Sequence, residues 1–487
     1  MTFANGEAGQ TTGLTFGFDA FDTIAGALGA AASGNTINVA SGTYNTPQVL
    51  INKSLTITGA GAATTFINGG NTPIASAGLV RIDLPEADTG NVSFTGFTIS
   101  NPGLTGGSRY HMFAKPVSPL STITISNNKL TGVNSSDYGI YSDRPRGTVV
   151  FDHNELTNMA FNPILIEHAL GSTNVHHNTI SGNSSTAYFN MTYSANDVTA
   201  LQRVADNTIT ASSASAITFN SGFGSSTGKF TNVEITNNVI TQLGGGTNRS
   251  GISLTNSATT GNGPAAAIEN PVITGNSITG NDTATSNGIR LRGLVINASI
   301  KGNNVRDVDK GFSGEVINGH SATGTQANFN SFVSNVSGFV WDGTAAVNAE
   351  NNWWGCNFGP GTGGAGCSGT PNAIGGVGVA MVDANPWLVL GLSAMPNSIP
   401  VGGTSNLTAD LTFNSDAMDT SGSGNLPNGT PVTFAGTGGT VLPLNATTAA
   451  GKAMSVFTAT TSGPGSASTT VDGQTISNSL TVTKALS

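Results

Sequence analysis

Charge is scarce in this chain. Lys, Arg, Asp and Glu make up 9% of its 487 residues, against roughly a quarter in an ordinary soluble domain. The net charge of −9 and the pI near 5.0 leave no basic stripe to neutralise phosphates, which excludes nucleic acid as a partner. Only two cysteines are present, too few for a disulfide framework and two ligands short of a zinc site of the cysteine type. No run of about 18 apolar residues occurs, so no helical membrane span is expected. The opening Met-Thr-Phe-Ala-Asn-Gly has neither a basic segment nor an apolar core, so no leader is visible in it.

What the chain has instead is asparagine in one recurring frame: a small or polar residue, Asn, any residue, then Ile, Leu or Val. The frame centres on Asn128, Asn154, Asn178, Asn207, Asn238, Asn276 and Asn303, with weaker copies at Asn330 and Asn352. The intervals run from 22 to 38 residues by subtraction, a loose but persistent period that marks a solenoid. Ahead of each asparagine lies an alternating run such as Ile123-Thr-Ile125, Val149-Val-Phe151 or Val233-Glu-Ile235. That is the period of a strand with one buried face. A second run follows the turn, as in Gly139-Ile-Tyr-Ser-Asp143, Pro163-Ile-Leu-Ile-Glu167 and Gly251-Ile-Ser-Leu-Thr255. Two or three short strands per repeat predict a parallel β-helix. An asparagine at the same turn of each coil can bond its counterparts above and below, and its backbone tolerates a left-handed bend. The seven strong copies are therefore expected to form a ladder.

The ends read as lids. Asp22 is placed as N-cap of a short helix with Ile24, Ala27, Leu28 and Ala31 on one face and Gly34 at its close. Strand-like runs follow at Thr36-Ile-Asn-Val39, Gly42-Thr-Tyr44 and Ser54-Leu-Thr-Ile-Thr-Gly59. In this series the chain resembles the pectin-lyase-like superfamily of right-handed β-helices, over roughly residues 20 to 385. The resemblance implies fold more than activity, since that superfamily holds lyases, hydrolases, adhesins and inert surface proteins. At the other end, Trp353 and Trp354 in Asn351-Asn-Trp-Trp-Gly355 are expected to plug the open core. Cys356 and Cys367 flank one loop, and a disulfide there implies an oxidising compartment.

From about Gly391 the asparagine frame gives way to alternating strands, among them Thr404–Phe413, Pro431–Phe434, Ala453–Ala459 and Leu480–Thr483. About 95 residues of this rhythm predict an antiparallel sandwich. The run Pro396-Asn-Ser-Ile-Pro-Val-Gly-Gly-Thr404 with Gly429-Thr-Pro-Val-Thr-Phe434 resembles bacterial Ig-like domains of the invasin and intimin type. The expected class is thus all-β: an N-terminal strand and capping helix over 1–35, a right-handed parallel β-helix over 36–388, and an Ig-like sandwich over 391–487.

Several groups carry chemistry in this frame. Taking Ile140, Ile164, Ile217, Ile252 and Ile289 as inward residues sends the residues one and three later outward. The outward pairs are then Tyr141 with Asp143, Leu165 with Glu167, Asn190 with Thr192, and Thr218 with Asn220. Asp143 and Glu167 should stack about 5 Å apart with His168 beside them, and paired carboxylates at that spacing suit acid and nucleophile roles on a glycosidic bond. Arg144 and Arg146 suit an acidic sugar. The plainer reading is a pair of surface carboxylates on neighbouring coils, and it is preferred here. Tyr188, Phe189 and Tyr193 with Asn190 suit the lining of a sugar groove. Asp152, His153, His176 and His177 gather on the outer side of the asparagine turn, but consecutive histidines on a strand point to opposite faces. No metal and no cofactor is therefore expected.

The preferred function is an extracellular or cell-surface structural and adhesive protein of a prokaryote. Its partner is expected to be other copies of itself, in a fibre or surface layer joined through the strand-like Leu14-Thr-Phe16-Gly-Phe18 and the Ig-like domain. Surface glycans are the other partner class. A polysaccharide lyase or glycoside hydrolase working in a β-helix groove is the alternative.

Overall fold

The computed structural model describes residues 2–3, 17, 20–70, 78–100, 109–132, 137–192, 194–210, 215–222, 226–243, 249–256, 266–281, 285–368 and 372–484. Leu14, Phe16, Phe18 and Tyr193 lie outside them. The chain forms two compact units, residues 1–272 with 290–296 and 317–320, and the remainder to 487.

The first unit is a parallel β-helix with three strands to a coil. Its first sheet contains Thr36–Val39, Thr56–Gly59, Val92–Thr95, Thr122–Ser126, Thr148–Asp152, Thr173–His176, Gln202–Ala205 and Val233–Thr236. The second runs from Gly42–Asn45 through Lys129–Thr131, Glu155–Thr157 and Thr179–Ser181 to Val239–Leu243, and the third from Val49–Ile51 through Asp137–Asp143 and Ile164–Glu167 to Arg249–Asn256. Alternation carries one residue type to the same place in each coil. Ile37, Ile57, Phe94, Ile125, Phe151, Val175, Val204 and Ile235 pair in one inward column of the first sheet, all but fully buried. Ile67, Ile99, Leu130, Leu156, Ile180, Ile209 and Ile240 form the matching column of the second. Each such side chain contributes about 1.5–3 kcal/mol on burial.

The asparagine ladder forms at the turn between these two sheets. In the first unit Asn128, Asn154, Asn178 and Asn207 each send the backbone N–H and a side-chain N–H to the Oδ1 of the next asparagine, at 2.9–3.2 Å. The left-handed residue is not the ladder asparagine but the one before it: Asn127, His153, His177, Asp206 and Asn237 have φ of 52–56°. This kink turns the next side chain into the core, where its amide meets carbonyls as well as its neighbours.

At the start, Thr2–Phe3 pairs between Ala20–Phe21 and Thr36–Val39 in the first sheet. The capping helix spans Ile24–Ala30 and buries Ile24, Ala27 and Leu28. Its N-cap is Thr23 rather than Asp22, because the Thr23 Oγ1 accepts from the Gly26 N–H at 3.1 Å. Among the described residues, no helix is long and apolar enough to cross a membrane.

The second unit holds further coils and the C-terminal antiparallel sheets. Its ladder runs Asn276 to Asn303 to Asn330 to Asn352, with paired contacts of 2.8–3.1 Å. Beyond it, Leu388–Met395, Thr404–Asn414, Lys452–Ala459 and Gly439–Leu442 form one sheet in that order. Ser398–Pro400, Gln474–Thr483, Gly463–Val471, Pro431–Thr437 and Asn445–Thr447 form the other, antiparallel except for the first pair. The two tryptophans divide their work. Trp354 packs on Phe332 with ring centroids 5.6 Å apart, inside the last coils. Trp353 joins the apolar cluster of the antiparallel sheets, with Phe329, Val333, Leu388, Leu411, Phe434 and Phe457. One core is therefore shared by the last turn of the solenoid and the sheets after it. Cys356 and Cys367 are joined by a disulfide, and the loop they close is bonded to the hairpin at Asp472: the Ser368 N–H donates to the Gly473 carbonyl at 2.7 Å and the Thr475 N–H to the Gly366 carbonyl at 2.7 Å.

Candidate functional site

The outer face of the third sheet in the first unit brings the predicted carboxylates together. Register pairs Tyr141 with Leu165 and Asp143 with Glu167, so the two carboxylates occupy neighbouring strands at one interstrand spacing, about 4.8 Å. Lys115 from the preceding coil reaches Asp143 at 3.3 Å and Arg144 reaches it at 2.9 Å. The Tyr141 hydroxyl donates to Glu167 Oε2 at 2.7 Å. Asp143 thus sits between two cations, while Glu167 has a neutral phenol. Burial is the main cause that lifts the Glu167 carboxyl above the usual carboxylate range, the Asp143 charge adds to it, and the Tyr141 bond and Arg144 oppose it. His168 stands next in the chain with a left-handed backbone, φ 50°, nearly buried. Burial and then Arg144 hold its imidazole below the ordinary histidine value. Arg146 is turned away to Glu86 at 2.9 Å.

Two carboxylates on neighbouring strands at one register position, one flanked by cations and one lifted, are a pattern of divided acid and base roles. Asp143→Asn is expected to lower the Glu167 titration toward the ordinary glutamate range, because it removes a like charge and leaves Arg144 in place. Carboxyl-carbon NMR of the two forms checks this, and a Glu167 titration that stays put or rises would count against the coupling.

Aromatic rings border the pair. Tyr110 stacks on Tyr141 at 4.5 Å between centroids, Tyr110 meets Tyr138 at 5.0 Å, and Tyr138 stacks on Phe161 at 4.7 Å with 7° between planes. Phe161 is 39% exposed, and Phe113, on the same column as Tyr141, has the Arg81 guanidinium 5.0 Å above its ring. Sequence reasoning missed Tyr110, Tyr138 and Phe161. The signal was present in the tyrosines recurring at one register position of consecutive coils, Tyr110 against Tyr138.

One coil onward the expected phase is inverted. Ile164 pairs with Tyr188 and Ile166 with Asn190, so Tyr188 and Asn190 face the interior and are fully buried, as is Thr192, while Phe189 and Met191 continue the outer columns. The cause is a polar cluster in the core: the Asn190 amide donates to the Tyr188 hydroxyl at 3.1 Å and to Gln202 Oε1 at 3.0 Å, and Thr173 donates to that same oxygen at 2.9 Å. A tyrosine with its hydroxyl satisfied inside does the work of isoleucine.

At the asparagine turn, Asp152, His153, His176 and His177 do come together. His176 and His177 do not point to opposite faces, because His177 is the left-handed residue of its turn and breaks the alternation. Their Nδ1 atoms are 2.8 Å apart. The Nδ1 atoms of His153, His176 and His177 lie 2.6, 2.9 and 3.7 Å from Asp152 Oδ1. Burial pushes the His176 imidazole below its usual value, with Asp152 opposing.

No family model matches the chain, and no curated protein sequence matches it. Solved structures do resemble it. The catalytic unit of a thermostable GH87 α-1,3-glucanase from Streptomyces thermodiastaticus aligns with 78% of this chain and 70% of its own, at 16% identity and a TM-score of 0.53. The Dettilon tailspike protein aligns over 94% and 86%, at 15% identity and a TM-score of 0.45. A PL6 polysaccharide lyase from Pseudopedobacter saltans aligns over 67% and 76%, at 14% identity and 0.32. At such identities the first likeness bears on the fold alone.

Proposed function

We propose that this is an extracellular β-helix protein whose third-sheet face binds an extended glycan. The observation that carries the reading is the partly exposed aromatic row of Tyr110, Tyr138, Tyr141 and Phe161 running beside Asp143 and Glu167. Flat rings with wet edges match the apolar faces of pyranose rings, and charged groups at their margin match hydroxyls. An open face along stacked coils suits a polymer rather than a small molecule. The α-1,3-glucanase similar in fold acts on a glucan, but the reading for this chain rests on the rings. The disulfide supports an oxidising location. The strand order of the C-terminal sheets, with the first, third, seventh and fifth strands in one and the second, ninth, eighth, fourth and sixth in the other, supports reading them as an Ig-like module that presents the solenoid at a surface.

Cleavage is the second reading, favoured by the lifted Glu167 beside Asp143. In it Glu167 would protonate the leaving oxygen as Asp143 on the neighbouring strand attacks the anomeric carbon, and water, deprotonated by Glu167, would then cleave the glycosyl–Asp143 ester. Binding of the full chain to a panel of bacterial and plant polysaccharides tests both. Phe161→Ala with Tyr138→Ala is expected to weaken retention about tenfold, roughly 1.4 kcal/mol. Glu167→Gln is expected to keep binding and to abolish any release of reducing ends or unsaturated products. Binding indifferent to both aromatic substitutions would sink the glycan face, and product formation that survives Glu167→Gln would sink the catalytic assignment alone.

A further inference from the structure

We propose that Asp152, His153, His176 and His177 form a binding site for a divalent transition-metal ion of the zinc class. The site lies at the turn between the first and second sheets and does not depend on the glycan face. In the other asparagine-bearing coils of the first unit the three turn positions read Ser126-Asn127-Asn128, Ala205-Asp206-Asn207 and Thr236-Asn237-Asn238. Only two consecutive coils replace the first two positions with Asp-His and His-His, and parallel register sets Asp152 directly against His176. His153 and His177, both left-handed, hold their rings parallel at 4.8 Å between centroids and 2° between planes.

The donor atoms converge. The three Nδ1 atoms lie 2.6, 2.9 and 3.7 Å from Asp152 Oδ1, and the Nδ1 atoms of His176 and His177 lie 2.8 Å from each other. Tetrahedral zinc with bonds of about 2.0–2.1 Å has ligand atoms about 3.3 Å apart. The observed separations bracket that edge, and because the His153 and His177 rings are stacked and parallel, at least one of them must turn about its Cβ–Cγ bond for both in-plane lone pairs to reach the ion. The hydrogen bond between the His176 and His177 Nδ1 atoms accounts for only part of the arrangement. Asp152 Oδ1 is shut off from solvent and takes no hydrogen bond despite the three nearby nitrogens, so those nitrogens are not aimed at it as donors. The His176 nitrogen is also in reach of both an anion and a second ring nitrogen, and it carries either one proton or one lone pair. Asp152, His153 and His177 offer donor atoms that all lie within 4.8 Å of one another, and a cation among them would use these three, with His176 Nδ1 next to Asp152 and His177.

Three imidazole nitrogens and one carboxylate oxygen suit zinc, cobalt, nickel or copper, and they disfavour calcium and magnesium, which take oxygen ligands. Arg203 is the nearby cation, and it is occupied by Asn174 at 3.2 Å, Asp206 at 3.6 Å and Glu234 at 3.9 Å. Ligands from both turns, Asp152 with His153 and His177, make the ion a staple between two coils, with the fourth position left to His176.

The test is equilibrium dialysis of the chelator-stripped full chain against Zn²⁺, with metal content read by mass spectrometry. Co²⁺ is the spectroscopic probe, since tetrahedral coordination gives intense visible bands. One Zn²⁺ per chain is expected, with a rise in the thermal midpoint and no competition from Ca²⁺. The variant His153→Asn with His177→Asn restores the turn residue of the neighbouring coils, Asn127 and Asn237, so it should fold as the parent does. It is expected to lose about a hundredfold or more in affinity and the visible cobalt bands. Failure of the parent chain to take up Zn²⁺, Co²⁺, Ni²⁺ or Cu²⁺ stoichiometrically would overturn the proposal, and so would a double variant that binds as tightly as the parent.

Discussion

Asn207→Ala is expected to destabilise the first unit by about 3 kcal/mol, since each buried donor or acceptor left without a partner costs about 1–3 kcal/mol. Asn207 Oδ1 accepts from the Asn178 backbone N–H at 2.9 Å and from its side chain at 3.0 Å. Its own amide donates to the Val175 and Ala205 carbonyls at 2.9 and 3.0 Å, and to Asn238 at 3.0 Å. Alanine removes all of these at a site 1% exposed, where water cannot replace them, and it strands two donors on the coil before. Thr208→Ala, one residue on and pointing outward, is the control, expected within about 0.5 kcal/mol of the parent. Urea unfolding of the two variants gives the comparison. If Asn207→Ala costs no more than Thr208→Ala, the ladder follows from coil stacking and does not stabilise it.

That ladder was legible because one side chain performs one task in every coil, so a weak local signal repeats. The inward columns were legible for the same reason. What the repeat hides is any coil that solves the packing differently. Tyr188 and Asn190 look like surface residues until Gln202, on a strand of the first sheet and itself bonded by Thr173 on the neighbouring strand, is seen to accept from Asn190 inside the core. His176 and His177 look like opposite faces until the left-handed turn is placed one residue ahead of the asparagine. Both errors come from applying strict alternation across a residue that interrupts it. Thr23 displaced Asp22 as helix cap by a single position, a difference that rests on which oxygen meets the Gly26 N–H. Within the aromatic row beside Asp143, Phe161 was missed because it lies between strands, where periodicity says nothing. The assembly strand at Leu14, Phe16 and Phe18 falls outside the described residues, so self-association through it stands as a proposal, to be tested by removing residues 1–18.

Trp353→Ala should have the largest effect on the second unit, about 3–5 kcal/mol for a fully buried tryptophan. The ring fills the cluster shared by the last coil and the antiparallel sheets, so its loss is felt on both sides. Trp353→Phe separates packing from polarity. The indole N–H donates to Asp472 Oδ2 at 2.7 Å, and Arg306 reaches the other oxygen at 3.2 Å. Burial pushes the Asp472 carboxyl above its usual range, against these two contacts, which favour the charged form. Removing the indole N–H leaves Arg306 alone and lifts the carboxyl further. A group with a raised folded value binds its proton more tightly folded than unfolded, so its contribution is present below the ordinary carboxylate range and is lost as pH rises through the raised value. The deficit of Trp353→Phe relative to the parent should therefore be larger at pH 7 than at pH 4. Urea unfolding at both values measures it. A deficit independent of pH would mean that the ring acts through its volume only, and that Asp472 is held by Arg306 whether or not the tryptophan donates.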